Sequence, residues 1–142
     1  MEYTLEHVPQ IAEHILTTAL KSKSPEHATM ITFSGDLGAG KTTLIQEIAK
    51  HLGVVDSLQS PTFVIYKHYT IPEGQFKALI HGDMYRLESA EEIEKLGWNE
   101  LITDPNTIIC IEWPEKITGA IPEWATCVVI HYLGGEKRSL EI

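Results

Sequence analysis

Two stretches of the chain repeat apolar residues at intervals of three and four positions. Residues 8–20 carry Ile11 and Ile15 on this spacing, and residues 41–52 follow the same pattern before Gly53. Such spacing is typical of a helix that buries one face, and a glycine directly after the last apolar position favours a helix end. The pattern therefore predicts two amphipathic helices.

Short runs of apolar and β-branched residues separate and follow these helices. Residues 29–33 are rich in apolar and β-branched side chains, which predicts a strand. Residues 108–111 are an unbroken apolar run, as expected for a strand buried on both faces. Further strands are predicted at residues 63–70, 76–80, 127–132 and 138–142. The Gly134-Gly135 pair between the last two predicts an antiparallel hairpin.

The order of these elements predicts an α/β fold. A strand, a glycine-rich turn and a helix follow one another between residues 29 and 52, which is the unit of a parallel sheet. Ser89 and Glu92 form a capping-box pattern, so a third, short helix is expected after Ser89. The sheet is expected to be mixed, with antiparallel strands toward the C-terminus.

The turn between the first predicted strand and its helix carries the strongest chemical signal. Residues 35–42 read GDLGAGKT and match the pattern G-x-x-x-x-G-K-[ST] at every fixed position. Glycines allow a compact loop whose N–H groups surround a phosphate, while Lys41 reaches the β- and γ-phosphates and the Thr42 hydroxyl reaches Mg²⁺. We therefore expect a P-loop NTPase-like three-layer sandwich with a mixed, mainly parallel sheet. The predicted nucleotide contacts are Asp36, Leu37, Gly38, Ala39, Gly40, Lys41, Thr42 and Thr43.

Composition narrows the function classes. The 142 residues are 43% hydrophobic and 22% charged, which is ordinary globular usage, and they are expected to form one domain over residues 1–142. The net charge of -9 argues against a protein that grips nucleic acid through its own phosphate contacts. The absence of a signal-peptide pattern and of an apolar run near 18 residues predicts a cytoplasmic protein without a membrane span. Cys110 and Cys127 lie beside apolar runs and are expected to be reduced core residues.

Two carboxylates stand at the ends of predicted strands, where an α/β sheet presents its ligand-binding edge. Glu112 follows the run 108–111, and Asp83 follows the strand that ends near residue 80. One carboxylate can help Thr42 hold Mg²⁺ while the other orients the attacking water, and the sequence leaves this assignment open. A solvated glutamate and an Asx turn are the alternatives without function. His81 is expected on the same side as Asp83, because alternate strand residues share a face.

Two residues near these motifs are further candidates. Thr62 lies in a loop after Ser60-Pro61, where a threonine can sense the γ-phosphate, although an ordinary turn would carry the same residues. Trp113 follows Glu112 and is equally compatible with core packing and with a contact surface.

Four short blocks together resemble one protein family. GDLGAGKTT at residues 35–43, SPTF at 60–63, HGDMYRL at 81–87 and IEWP at 111–114 match, in order and spacing, the TsaE family of bacterial P-loop ATPases. The resemblance implies weak hydrolysis of ATP with Mg²⁺, and joint action with the TsaD–TsaB heterodimer in placing threonylcarbamoyladenosine beside the tRNA anticodon. By position it implies that Lys41 and Thr42 contact phosphate and metal, that Thr62 lies in a switch-like loop, and that Asp83 and Glu112 lie near metal and water. Gly82 stands where the family often has phenylalanine.

Other functions remain open on sequence grounds. A small-molecule kinase shares the phosphate loop but usually has an arginine-rich lid, and arginine occurs here only at positions 86 and 138. A nucleotide-dependent binding module without catalysis is a further alternative. A GTPase is disfavoured because the guanine-binding string N-K-x-D is absent. The sequence does not determine the oligomeric state.

Overall fold

A computed structural model describes residues 1–61 and 64–142. In these ranges seven strands form one sheet. The strands are β1 (Glu2–Tyr3), β2 (Thr29–Ser34), β3 (Tyr66–Thr70), β4 (Ala78–Asp83), β5 (Thr107–Glu112), β6 (Thr126–Gly134) and β7 (Lys137–Glu141). The α-helices are α1 (Val8–Leu20), α2 (Lys41–His51), α3 (Ala90–Glu94) and α4 (Trp98–Ile102), and 3₁₀ helices span Leu5–His7 and Pro114–Ala120.

The sheet is mixed, as predicted. Its strand order is β1-β7-β6-β2-β5-β4-β3. The four central strands β6, β2, β5 and β4 pair in parallel, while β3 on one side and β7 and β1 on the other are antiparallel. Parallel pairing places the carboxyl ends of β2, β5 and β4 at the same edge, where ligands bind in sheets of this kind.

Helices cover both faces of the sheet and produce three layers. One apolar cluster packs α1 and α2 against the sheet and includes Ile15, Ile45 and Phe33. A second cluster on the opposite face includes Met30, Ile93 and Trp98 and packs the shorter helices. The predicted three-layer architecture and C-terminal hairpin are therefore confirmed. No helix in the described ranges is long and apolar enough to cross a membrane.

Several local expectations were wrong. Strand β1, helix α4 and the 3₁₀ helix at Pro114–Ala120 were not predicted, because each is too short for a periodic pattern. The capping box is not formed: Ser89 is the N-cap of α3 without a side-chain bond, and the Glu92 carboxylate accepts the N–H of Glu88 instead. Cys127 is exposed, unlike Cys110, because it lies on the opposite side of β6 from the buried Val128.

Candidate nucleotide-binding site

The loop from β2 to α2 adopts backbone conformations that require glycine. Gly38 has a φ of 81° and Gly40 a φ of 107°, in the left-handed region that other residues rarely adopt. A Cβ atom on Gly35 would lie 2.7 Å from the carbonyl oxygen of Ile130 on β6. The glycines at both ends of the motif therefore permit a tight loop that packs directly on a central strand.

The loop ends at the N-terminus of α2, where free N–H groups favour an anion. Helix α2 begins at Lys41 with Gly40 as its N-cap, and the first internal bond joins the N–H of Leu44 to the carbonyl of Gly40. The N–H groups of Lys41, Thr42 and Thr43 precede that bond, so they have no intrahelical acceptor. Together with the helix dipole they favour an anion such as phosphate at this end of α2.

Lys41 lies inside this loop with its side chain almost buried. Its ammonium donates hydrogen bonds to the carbonyl oxygens of Gly35 and Asp36, the latter at 3.1 Å. Burial lowers the pKa of Lys41, and the nearby carboxylates, with Glu112 first, oppose that shift. The loop thus holds a positive group at the place where the sequence motif predicts phosphate.

Trp113 forms a wall beside Lys41 through an uncommon backbone conformation. Its φ of 58° and ψ of 51° lie in the left-handed region, which costs a residue with a side chain about 1–2 kcal/mol. In this conformation the indole ring faces the Lys41 ammonium, 4.1 Å from the ring centroid. The contact is a cation–π interaction, and it places Trp113 at the site rather than solely in the core.

Glu112 joins the end of β5 to the phosphate loop. The Thr42 hydroxyl donates to the Glu112 carboxylate, with Oγ1 at 2.9 Å from Oε1 and 3.0 Å from Oε2. Glu112 is 4% exposed, so the alternative of a solvated strand-end glutamate is wrong. A hydroxyl and a carboxylate in contact are oxygen donors of the type that Mg²⁺ prefers, and the pair fits such an ion.

His81 is the second partner of Glu112. Its Nε2 lies 2.7 Å from Glu112 Oε2, and because an ionised carboxylate only accepts, Nε2 carries the proton. His81 is completely buried, and within the described ranges its Nδ1 has no hydrogen-bond partner. An unsatisfied buried polar atom costs about 1–3 kcal/mol.

Asp83 lies beside Glu112 in the sheet but in a different environment. The two residues are register partners of β4 and β5. Asp83 Oδ1 accepts the N–H of Tyr85 at 3.0 Å, which is the turn contact considered as an alternative to function. Burial raises the pKa of Asp83, and the negative charge of Glu112 raises it further. Within the described ranges Oδ2 accepts no hydrogen bond, so Asp83 retains a free acceptor atom.

These groups surround a recess of about 290 Å³ at the carboxyl edge of the sheet. Its walls bring together most of the predicted site residues, with Ser60 and Trp113 in addition: Leu37, Gly38, Gly40, Lys41, Thr42, Thr43, Asp83 and Glu112. Ala39 is buried beneath the loop, and Asp36 contributes its backbone carbonyl to Lys41. The predicted contact Thr62 and the predicted strand start Phe63 lie outside the described residues. A larger recess near the end of α2 gathers Lys50 and Asp56 without the motif.

Three contacts of the site were missed by sequence reasoning. His81 was expected beside Asp83, whereas it hydrogen-bonds Glu112 on the next strand. Trp113 was not expected to face Lys41, and the Arg138 Nε of β7 donates to the Ala39 carbonyl at 3.0 Å. A histidine inside an apolar strand, two positions before Asp83, was the sequence signal for the contact of His81. No local signal indicated the contacts of Trp113 and Arg138.

A glycine-rich loop at a helix N-terminus, an internal lysine and a hydroxyl–carboxylate pair define a P-loop nucleotide-binding protein. Comparisons with known proteins assign its family. The family model described as "Threonylcarbamoyl adenosine biosynthesis protein TsaE" matches residues 4–140. The chain belongs to the TsaE family, as its sequence blocks predicted.

Individual relatives agree with that assignment. The tRNA threonylcarbamoyladenosine biosynthesis protein TsaE of Haemophilus influenzae is 37% identical over 117 residues, which cover 82% of this chain and 71% of that protein. The protein of the same name from Borreliella burgdorferi is 33% identical over 113 residues, covering 80% of each chain. The crystal structure of Bacillus subtilis YdiB aligns with a TM-score of 0.65 and 26% identity over 99% of this chain and 82% of that one.

Proposed function

We propose that this chain is an ATPase that serves the biosynthesis of threonylcarbamoyladenosine in tRNA. Family membership supports the pathway, since two similar proteins carry that biosynthetic name. The 2.9 Å contact between the Thr42 hydroxyl and Glu112 carries the ATPase part of the proposal. It joins the loop that cradles phosphate to a carboxylate at the neighbouring strand end, which is the arrangement that nucleotide hydrolysis needs.

The nucleotide is ATP, and the metal is Mg²⁺. Thr42 and Glu112 would hold the metal, which when bound supplies positive charge to the β- and γ-phosphate oxygens. The loop of residues 36–43 would surround the phosphates, with the N–H groups of Lys41, Thr42 and Thr43 as donors, while the N–H of Ala39 is bonded to the carbonyl of Asp36. Thr62 is proposed to contact the γ-phosphate from its loop. Lys41 exchanges its carbonyl partners for phosphate oxygens and neutralises charge that develops on them.

Of the two carboxylates, Asp83 is the one proposed to orient the attacking water, and Glu112 the one proposed to hold the metal. Asp83 lines the recess, and its raised pKa brings it closer to that of an efficient proton acceptor. Glu112 is less available for this role because Thr42 and His81 already occupy its oxygens.

Turnover is proposed to be slow without partners of the TsaD and TsaB type. A P-loop enzyme gains most from an arginine at the γ-phosphate. Arg138 is engaged with the carbonyl of Ala39, and Arg86 is exposed. The same placement gives little support to a kinase with an arginine lid. The acidic chain would act as a single domain in the cytoplasm, linked to tRNA through those partners.

Replacing Lys41 tests this function against a matched lysine of the same helix. Lys41→Ala is expected to weaken binding of ATP with Mg²⁺ at least about tenfold, because one charge-assisted contact to phosphate is lost. It should also abolish partner-stimulated ATP hydrolysis and the formation of threonylcarbamoyladenosine on unmodified tRNA by the reconstituted proteins, measured by mass spectrometry.

Lys50→Ala is the control, since Lys50 is exposed on α2 and pairs with Glu47 away from the loop. It should behave as the wild type in all three measurements. The proposal would be contradicted if the wild-type protein does not bind ATP, or if Lys41→Ala supports tRNA modification as well as the wild type does.

A further inference from the structure

We propose that His81 is a positioning residue that holds Glu112 so that one carboxylate oxygen is directed to the phosphate loop. The Nε2–H of His81 donates to Oε2 at 2.7 Å, while Thr42 lies 2.9 Å from Oε1. The Thr42 hydroxyl lies within hydrogen-bond distance of both carboxylate oxygens, and Oε1, which has no contact with His81, is the oxygen left for a cation beside Thr42. This inference rests on the proposed function, since it concerns the metal-binding side of the same site.

The surroundings of His81 argue against a purely structural role. The residue lies on β4 with Cys110 as its register partner, and the neighbouring Ile80 is completely buried like His81 itself. The large majority of buried side-chain polar atoms have a hydrogen-bond partner, but Nδ1 of His81 has none within the described ranges. Local features that are unfavourable for stability are characteristic of functional sites, and here the one bond that His81 makes is directed at Glu112.

The partners of Glu112 explain why a second donor is needed. The Glu112 carboxylate is nearly buried and accepts from both Thr42 and His81. When the Thr42 hydroxyl turns toward a metal, His81 is the donor that still orients the carboxylate. Hydrogen bonds of this kind from outside the ligand shell commonly change metal affinity 10- to 100-fold.

His81 acts on Glu112 rather than on Asp83, although His81 and Asp83 alternate along the same strand. The Asp83 carboxylate accepts from the backbone of Tyr85, whereas the imidazole reaches across the sheet to β5. The effect of replacing His81 should therefore depend on Glu112 and should not require Asp83.

The test measures binding of a fluorescent ATP analogue without metal and then with increasing MgCl₂. His81→Leu should bind the metal-free analogue nearly as well as the wild type but need about 10–100 times more Mg²⁺. Its kcat should fall with little change in the KM for ATP. His81→Gln, whose amide can donate to Glu112, should recover most of the loss, and His27→Leu, a histidine stacked on Trp124, should have no effect.

A double variant tests whether His81 acts through Glu112. In a Glu112→Gln background, His81→Leu should add no further Mg²⁺ requirement. Additive effects, an unchanged Mg²⁺ requirement in His81→Leu, or failure of His81→Gln to restore it would overturn the positioning role. If His81→Leu does not fold, His81→Asn replaces it, because its amide is too short to take the place of the imidazole at Glu112. His81→Asn should then need more Mg²⁺ than His81→Gln, and equal Mg²⁺ requirements of these two variants would overturn the positioning role. Wild-type protein without Mg²⁺-dependent binding would instead reject the proposed function.

Discussion

The carboxyl ends of β4 and β5 lie side by side and carry one carboxylate each, yet the two differ in almost every physical respect. Glu112 on β5 is nearly buried and accepts hydrogen bonds from the side chains of Thr42 and His81. Asp83, its register partner, is half-buried and accepts from one backbone N–H. Sheet position brings the two acids together, and the surrounding donors make them different.

This difference shows how one sheet edge can support two chemical roles. Hydrogen-bond donors stabilise the ionised form of a carboxylate, which is the form that binds a cation. Burial and a neighbouring negative charge instead favour the protonated form. Asp83 experiences the second effect, and its pKa is raised.

The largest expected effect on ATP hydrolysis comes from neutralising Glu112, the acid with two side-chain hydrogen-bond donors. Glu112→Gln keeps the size of the side chain, and its amide oxygen can still accept from His81, but it removes the charge that would balance Mg²⁺. Partner-stimulated ATP hydrolysis is expected to fall about 10²–10³-fold, in the range of other preorganised charge contacts. Single-turnover hydrolysis with saturating ATP is the appropriate measurement.

Asp83→Asn is the matched comparison for that variant. It should reduce hydrolysis less, by about tenfold, because phosphoryl transfer depends more on positioning and charge stabilisation than on proton removal. A larger loss in Asp83→Asn than in Glu112→Gln would reverse the two roles.

A smaller effect, on stability, is expected at Gly82, which directly precedes Asp83 on β4. A Cβ atom there would lie 2.5 Å from Met84 Cε and 2.8 Å from Ile111 Cδ1. Gly82→Ala should therefore lower the free energy of unfolding by about 1–2 kcal/mol through overpacking, measured by urea denaturation. Gly119→Ala is the control, since its nearest atom would be 3.7 Å away and its stability should change little. Equal losses in both variants would show that Gly82 is not specially confined.

Much of this edge could be predicted because its signals are local. The phosphate loop is a contiguous motif, and Glu112 follows an apolar run that becomes β5 almost as predicted. The strand that carries Asp83 extends to that residue, past the predicted end at position 80. Local patterns therefore identified both acids and the loop before any tertiary contact was known.

The contacts that distinguish the acids could not be predicted, because they depend on tertiary packing. The bond from His81 to Glu112 joins residues 31 positions apart and requires the observed register of β4 and β5. The contact of Trp113 depends on its left-handed backbone conformation directly before Pro114, which sequence patterns do not specify. Helix α4 is one turn long and is fixed where the indole N–H of Trp98 donates to the carbonyl of Ala120.

The smallest effect concerns stability and pH at Asp83. Its pKa in the folded protein is raised above the ordinary value of 3.8, so the folded state binds the proton more tightly than the unfolded chain does. Stability therefore decreases as pH rises from 3.8 through the raised pKa, and the penalty is complete above that value. Asp83→Asn removes this penalty and should raise the melting temperature at pH 7 by about 1–3 °C without metal or nucleotide. The gain should vanish when the pH falls below 3.8. A gain that is equal at pH 7 and at low pH would mean that the charge of Asp83 is not its source, and the electrostatic contrast with Glu112 would then have to be abandoned.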